Sequence, residues 1–463
     1  MWWNPWLGSM AMDVAAASRA LPEALKRLQT QRLAALLQAA QQRSPLYREV
    51  IGRRDPQRLA LHELPVMTKP ELMQRFDDWV GDRRLRLADL RRFMADPARV
   101  GHEHLGEYLV WESSGSGGQP GVFVQDAHAM AVYDALEALR RPQLQPLRRL
   151  VDPFYAAERM AFVGATNGHF AATASVQRLR RLNPWLAAGM HSLSFLQPAR
   201  DLVAELNALR PTVLATYPTA ALMLAEEAAA GRLRIGLKEV WTGGEALTDA
   251  MRGVIGRSFG CPVAQSYGAS EFMSMASECR CGMLHLNSDW LILESVDEQG
   301  RPVSEGQAGF TTLLTNLANA VQPVIRYDLG DRVTMHSAPC RCGSWLPVIE
   351  VQGRVDDSVV LRDGEGQSVR LLPLALTTVL EDEAGVFDFQ LVQQGEQALL
   401  LRLAAGGADG SRQLRRARGV LSRYLRAQGL PRIALEAHCG QPGVRGRSGK
   451  VQRVVALAHP HAH

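Results

Sequence analysis

Apolar positions fall at helical spacing over residues 20–43, where Leu21, Leu25, Leu28, Leu36 and Leu37 stand among charged and amide residues. This period predicts an amphipathic helix that stops before Ser44-Pro45, because the residue ahead of a proline disfavours helical backbone. The next segment, LPVMTKPEL (64–72), reads as a turn in which Thr68 caps a following helix with Pro70 in its first turn. Between 100 and 290, short strand-like runs such as VLATY (213–217) and EVWTG (239–243) alternate with Ala-rich helical stretches such as TAALMLAEEAAAG (219–231). That alternation predicts an α/β fold with a mostly parallel, helix-flanked sheet.

The pattern changes near residue 290. WLILESVDEQGRPVSEGQAGFTTLLTNL (290–317) predicts two strands joined by a Gly-rich connection, and hence an antiparallel β subdomain after the parallel sheet. Past GRVDD (353–357), SVVLRDGEGQSVRLL (358–372) and FQLVQQGEQALLLRL (389–403) read as hairpins, followed by an Arg-rich helix at 412–427. The expected organisation is a large N-terminal domain over 1–352 and a small α+β C-terminal domain over 358–463.

Composition narrows the function classes. The 463 residues are enough for two or three domains at about 150 residues each. Lys plus Arg (52) barely exceeds Asp plus Glu (47), and the +5 surplus is scattered rather than gathered into one run, so nucleic acid is not an expected partner. No apolar run approaches the roughly 18 residues of a membrane span, and MWWNPWLGSMAMD lacks the charged start and apolar core of a secretory signal. No membrane partner is expected, and the expected location is the cytoplasm.

Six cysteines are too few for a disulfide scaffold in a chain of this length, so their spacing matters more than their number. Cys279-Arg280-Cys281 and Cys340-Arg341-Cys342 form two CxC pairs, each followed by glycine. Four thiolates suit tetrahedral Zn²⁺; the plainer reading is four reduced thiols. His285 is either a substitute ligand or a packing residue.

The barest stretch of the chain is Ser113-Ser114-Gly115-Ser116-Gly117-Gly118-Gln119-Pro120-Gly121, which follows the apolar run YLVW (108–111). Its glycines let backbone N–H groups turn toward one point while hydroxyls add donors, a concavity that suits a phosphate. It lacks both the Gly-Lys-Ser/Thr ending of a Walker loop and the GxGxxG spacing, and a plain flexible turn is the competing reading. Four further stretches follow in order: SYGASE (266–271), RYDLGD (326–331), GRVDD (353–357) and SGK (448–450).

Together these five stretches resemble the adenylate-forming superfamily of acyl-CoA synthetases, adenylation domains and luciferases. SPLY (44–47), LPVMTKPEL and PCRCGSWLPVIEVQGRVDD (339–357) are most similar to its phenylacetate–CoA ligase branch. The resemblance runs from about residue 30 to 455. It implies a glycine loop, including Ser113, Ser114, Gly115, Ser116, Gly117 and Gly118, that closes over the β- and γ-phosphates of ATP. It implies Mg²⁺ on Glu271, Ser270 near the α-phosphate, and Tyr267 and Gly268 beside the adenine. Gly243, Gly244 and Glu245 would line the adenine pocket, Asp331 would accept from the ribose hydroxyls, and Arg354 would reach the nucleotide from the domain junction. Taken singly, each has a plain reading as a solvated turn or ion-pair residue.

The implied reaction is attack of a carboxylate on the ATP α-phosphate, with loss of pyrophosphate, followed by transfer of the acyl group to the thiol of coenzyme A. Lys450 would bridge the carboxylate and α-phosphate oxygens, and Asp356 matches the hinge, within 353–357, that lets the C-terminal lid turn between the two steps. VLRDGEGQSVRLLP (360–373) departs from the branch where the thiol is expected to enter. A carrier-protein pantetheine or an amine therefore stays open as acceptor, and a non-catalytic nucleotide-binding scaffold is the reading from another class. His169, Phe170 and Tyr217 are expected to line an acyl pocket suited to an aryl acid, and a homodimer is compatible with the sequence.

Overall fold

Proline and serine punctuate the N-terminal helices as the pattern requires. In the computed structural model, which describes residues 4–113, 120–141, 157–352, 359–441 and 453–456, the helix Pro22–Arg43 ends at Ser44. The Ser44 hydroxyl then accepts from Tyr47 N–H at 3.3 Å and caps the helix Pro45–Ile51. Helix Lys69–Gln74 starts at Thr68, whose N–H and hydroxyl both donate to the Glu71 carboxylate, at 2.9 and 2.7 Å.

The apolar runs pair into mixed sheets. Strands β1 (Glu103–His104), β2 (Tyr108–Glu112) and β3 (Val122–Gln125) form an antiparallel sheet. Next come β4 (Met160–Gly164), β5 (Met190–Ser194), β6 (Val213–Thr216), β7 (Glu239–Thr242) and β8 (Val263–Ala269), whose mutual pairings are parallel. The hairpin partners β9 (Phe272–Glu278) and β10 (Leu284–Leu286) continue this sheet in antiparallel sense. Strands β11 (Leu291–Val296), β12 (Thr311–Asn316) and β13 (Tyr327–Asp328) make a separate antiparallel sheet, with Leu291 opposite Asn316. Finally β14 (Arg332–His336) and β15 (Val348–Gln352) close the large sheet, whose order is β14-β15-β10-β9-β8-β7-β6-β4-β5. The merging of the parallel and antiparallel halves across β8 was not foreseen, because that pairing depends on contacts distant in sequence.

The C-terminal residues fold as an α+β unit with its own core. Strands β16 (Val359–Arg362) and β17 (Ser368–Leu371) form a hairpin, while β18 (Phe389–Gly395), β19 (Ala398–Leu403), β20 (Ala434–Cys439) and β21 (Val454–Val455) form a four-stranded sheet. The Arg-rich helix spans Gly407–Ala427 and so starts five residues before the expected 412. Its first turn is possible because Gly410 lies against Ala405: a Cβ there would stand 2.3 Å from the Ala405 carbonyl oxygen.

This unit rests on the rest of the chain through apolar and polar contacts. Leu372 and Ala375 are buried in the core of the parallel sheet. Arg370 pairs with Glu226 at 2.7 Å, and Gln428 Nε2 donates to the Leu196 carbonyl at 2.7 Å. The turn Val379–Glu383 faces β2 and the loop after β4: Asn167 Nδ2 donates to Asp382 Oδ2 at 3.1 Å, Glu112 stands nearby, and Glu381 is paired with Arg453. Burial pushes the Asp382 carboxyl up to about 7, with the charges of Glu112, Glu381 and Glu383 adding to the rise and Asn167 opposing it. An aspartate in the unfolded chain ionises near about 4, so between about 4 and about 7 the folded form holds a proton that the unfolded form has lost. Stability should therefore fall as pH rises through that window. Unfolding midpoints measured across it should flatten in Asp382→Asn, and an unchanged slope in that variant would remove Asp382 as the cause.

Candidate active site

The predicted residues that the structure describes gather mainly at the carboxyl ends of adjacent parallel strands. Ala165–Phe170 follow β4, Tyr217 follows β6, Gly243–Glu245 follow β7, and Ser270–Glu271 follow β8. In open α/β sheets this edge forms the ligand crevice, because strands stop there while helices begin. Gly244 has φ +78°, and a Cβ on it would stand 2.9 Å from the Tyr217 ring, so the TGGE turn packs directly on that aromatic. Glu245 reaches back to cap the helix Pro218–Ala229, accepting from Thr219 N–H and Oγ1 at 3.0 and 2.8 Å.

Ser270 and Glu271 form the two-residue tip of the β8–β9 hairpin. The tip is held from two sides: Trp111 Nε1 donates to the Ser270 carbonyl at 2.8 Å and Asn316 Nδ2 to the Glu271 carbonyl at 2.9 Å. Gly268 sits in the irregular part of this hairpin, where a Cβ would stand only 1.9 Å from the Met273 carbonyl oxygen.

The Glu271 side chain is 7% exposed. Burial is the largest influence on its carboxyl and pushes it above the usual carboxylate range; the Tyr327 hydroxyl, donating to Oε1 at 2.6 Å, and the Lys69 ammonium oppose that rise. Tyr267 donates its hydroxyl to Asp331 Oδ2 at 2.9 Å, and burial followed by the Asp331 charge drives this phenol well above its ordinary value. The two acidic residues expected to hold the metal and the ribose thus stand near enough to feel each other's charge, each met by a tyrosine. A buried carboxyl whose ionised form is short of compensating charge is a fitting holder for a hard cation such as Mg²⁺.

Lys69 was not singled out from the sequence, although it lies in LPVMTKPEL. Its placement follows from main-chain pairing: Met67 N–H donates to the Arg326 carbonyl at 3.0 Å, and Asp328 N–H donates to the Met67 carbonyl at 2.9 Å. Arg326, in the left-handed region at φ +49°, then donates to the Leu64 carbonyl at 2.6 Å and to Glu294 at 3.2 Å. The lysine is delivered to within 3.5 Å of the Ser113 hydroxyl. The only cue available in the sequence was a lone lysine directly after a capping threonine.

Ser113 closes the base of the glycine loop. Its N–H donates to the Gly121 carbonyl at 2.8 Å, and its hydroxyl accepts from Gly121 N–H at 2.9 Å. Ser114, Gly115, Ser116, Gly117, Gly118, Arg354, Asp356 and Lys450 lie outside the described residues. Of the expected acyl-pocket residues, Phe170 and Tyr217 pack in the same core. His169 turns the other way: its ring meets Phe93 edge-on at 5.7 Å and Nε2 stands 3.3 Å from the Asp96 carbonyl.

At the other end of β9, Cys279, His285, Cys340 and Cys342 bring one donor atom each to within 4.8 Å of one another. Cys281, one of the four expected ligands, is exposed and lies outside this group of four, while His285 stands inside it.

Residues 173–310 match the family model for AMP-binding enzymes. Over 137 residues the chain is 27% identical to protein CapK of Staphylococcus aureus, and this match spans 29% of each chain. Two structures of 2-hydroxyisobutyryl-CoA ligase share the fold. One, with 2-HIB-AMP and CoA in the thioesterification state, superposes with TM-score 0.58 at 22% identity over 95% of this chain and 91% of that one. The other, an open form with the same ligands, gives TM-score 0.53 at 21% identity over 92% and 90%. The matched segment thus carries an AMP-binding signature, and the chain as a whole shares the fold of 2-hydroxyisobutyryl-CoA ligase. Among the described residues, no helix is long and apolar enough to cross a membrane.

Gly268→Ala tests the hairpin tip. Its Cβ overlaps main chain rather than a flexible side chain, so the tip must shift at a cost of about 1–3 kcal/mol. Denaturant unfolding should register that loss, and an unchanged midpoint would show that the tip accommodates the methyl group.

Proposed function

We propose that the protein activates a carboxylic acid with ATP and passes the acyl group to a thiol, coenzyme A being the leading acceptor. The observation that carries this reading is the buried Glu271 carboxyl, set on a hairpin tip beside Lys69 and close to the clasped base of a serine- and glycine-rich loop. A carboxylate is a poor acyl donor because oxide would have to leave. Attack of its oxygen on the α-phosphorus forms a new P–O bond, breaks the α–β anhydride bond and expels pyrophosphate. The acid then carries AMP as leaving group. In the second step the thiol sulfur bonds the acyl carbon, the C–O bond to AMP breaks, and the thiol proton leaves to the AMP phosphate or to water.

Charge placement is the protein's main contribution to such a transfer. In this reading Glu271 holds Mg²⁺ on the phosphates, Ser270 and the glycine loop supply neutral donors, and Asp331 fixes the ribose. Tyr267, Gly243, Gly244 and Glu245 surround the base, and Arg354 adds a cation at the junction. Lys450 is the mobile charge. Only three peptide units, at most about 11 Å of chain, separate it from Arg453. Arg453 is itself anchored by Glu381 and by the Phe387 carbonyl, beside the turn that meets Asn167. Asp356 serves as hinge between residues 1–352 and a lid over 358–463. The aromatic setting of Phe170 and Tyr217 favours an aryl acid, as in the phenylacetate–CoA ligase branch. Zinc belongs to the proposal as a structural ion at the far end of β9, with no part in the transfer.

ATP–pyrophosphate exchange screened over aryl and aliphatic acids tests the reading directly. Exchange should depend on one class of acid, and Lys450→Ala should lose about 10²–10³-fold in rate while still binding ATP, the scale of one lost charge or donor in a closed site. Absence of exchange with every acid would leave a nucleotide-binding scaffold instead. Adding coenzyme A should convert the adenylate to a thioester; transfer only to a pantetheinylated carrier or to an amine would reassign the acceptor.

Cation binding at Glu271 should also weaken as pH falls, and from a higher pH than an ordinary carboxylate would give, because burial makes this group take up its proton early. Mg²⁺ titrations of ATP binding across pH, compared with Glu271→Gln, read this out: the variant should lose that pH dependence.

A further inference from the structure

We propose that the chain carries a structural zinc site whose four donors are Cys279 Sγ, Cys340 Sγ, Cys342 Sγ and His285 Nε2, with Cys281 outside the coordination sphere. This does not depend on the ligase reading.

The donor spacings suit a tetrahedral ion. With Zn–S near 2.3 Å and Zn–N near 2.0–2.1 Å, tetrahedral edges are about 3.8 Å for S···S and about 3.5 Å for S···N. Cys279 Sγ and Cys340 Sγ stand 3.8 Å apart, and Cys342 Sγ lies 3.3 Å from His285 Nε2. All four donors fall within 4.8 Å of one another.

The surroundings prepare each donor for this role. His285 Nδ1 stands 2.8 Å from the Leu346 carbonyl, an acceptor only, so that nitrogen carries the proton and Nε2 presents a lone pair toward the thiols. Backbone N–H groups point at two of the sulfurs: Cys281 N–H at Cys279 Sγ and Ser344 N–H at Cys342 Sγ, both at 3.4 Å. Such donors favour the thiolate form. Each CxC pair folds into the same turn, with Gly282 N–H donating to the Cys279 carbonyl at 2.9 Å and Gly343 N–H to the Cys340 carbonyl at 3.0 Å. The two glycines take φ +77° and +91°, a region that a side chain would strain.

Register explains why the imidazole replaces the fourth thiol. His285 lies in β10, paired with Val348 of β15 and Ser277 of β9, so the strands carry its ring under the 340–342 turn. Cys281 sits at the outer crest of its own turn and is exposed, its N–H already spent on Cys279. The ion would tie the β9–β10 turn to the loop between β14 and β15, staples from two connections separated by 58 residues of chain.

The test uses untagged full-length protein purified in reducing buffer. Plasma emission should find about one zinc per chain in wild type and in Cys281→Ser, and far less in Cys340→Ser. His285→Ala should release zinc to a chromophoric chelator at an affinity about tenfold or more weaker. Should either variant fail to fold, Co²⁺ substitution of wild type decides: the spectrum should be that of three thiolates and one nitrogen. Zinc-free protein with free thiols or a Cys279–Cys340 disulfide overturns the site. A four-thiolate cobalt spectrum, or zinc lost from Cys281→Ser but kept in His285→Ala, overturns the donor set.

Discussion

The carboxyl of Glu271 is buried in a place where water cannot support its charge, and much of the neighbouring structure is arranged around that fact. Tyr327 gives it a hydrogen bond, Lys69 gives it a nearby cation, and Trp111 and Asn316 fix the main chain on which it stands. Those four residues come from four separate parts of the chain. The sheets β1–β3 and β11–β13, which contribute little to the parallel core, are therefore required as buttresses of one hairpin tip. In the proposed function, a cation at that tip adds to the compensation that Tyr327 and Lys69 begin.

Much of the architecture was legible because it is written in short-range periods. The helix to Arg43, the Thr68 start, the hairpins and the parallel units all follow from local spacing and turn chemistry. The candidate site rests on a different kind of signal: glycine positions and lone acidic residues in a fixed order carry the resemblance even where their neighbours are unremarkable. Lys69 and His285 escaped or were left open because each reaches its place only by pairing between distant strands, Met67 beside Tyr327 and His285 beside Val348. No local period encodes such partnerships. The early start of the helix at Gly407 escaped because two glycines ahead of it look like a linker until Gly410 closes on Ala405.

The junction between the C-terminal unit and the body combines two kinds of contact with different demands. Leu372 and Ala375 enter the body's own core, so parting the unit from the body would expose apolar surface. The turn Val379–Glu383 instead sets acidic groups opposite Glu112, an arrangement that favours neutral carboxyls. Holding the unit in this pose thus joins an apolar attraction to an electrostatic strain.

The clasp between Ser113 and Gly121 also sets a ruler. Eight chain bonds from Cα to Cα separate the two pinned residues, and their doubled-back path extends at most about 14 Å from the clasp. In the proposed function, an anion met by this loop is confined to about that radius from Ser113, the neighbour of the Lys69 ammonium. On that reading the clasp is a fixed post from which reach is measured, and a chain lengthened by a few residues between the two pins would keep the post but lose the measure.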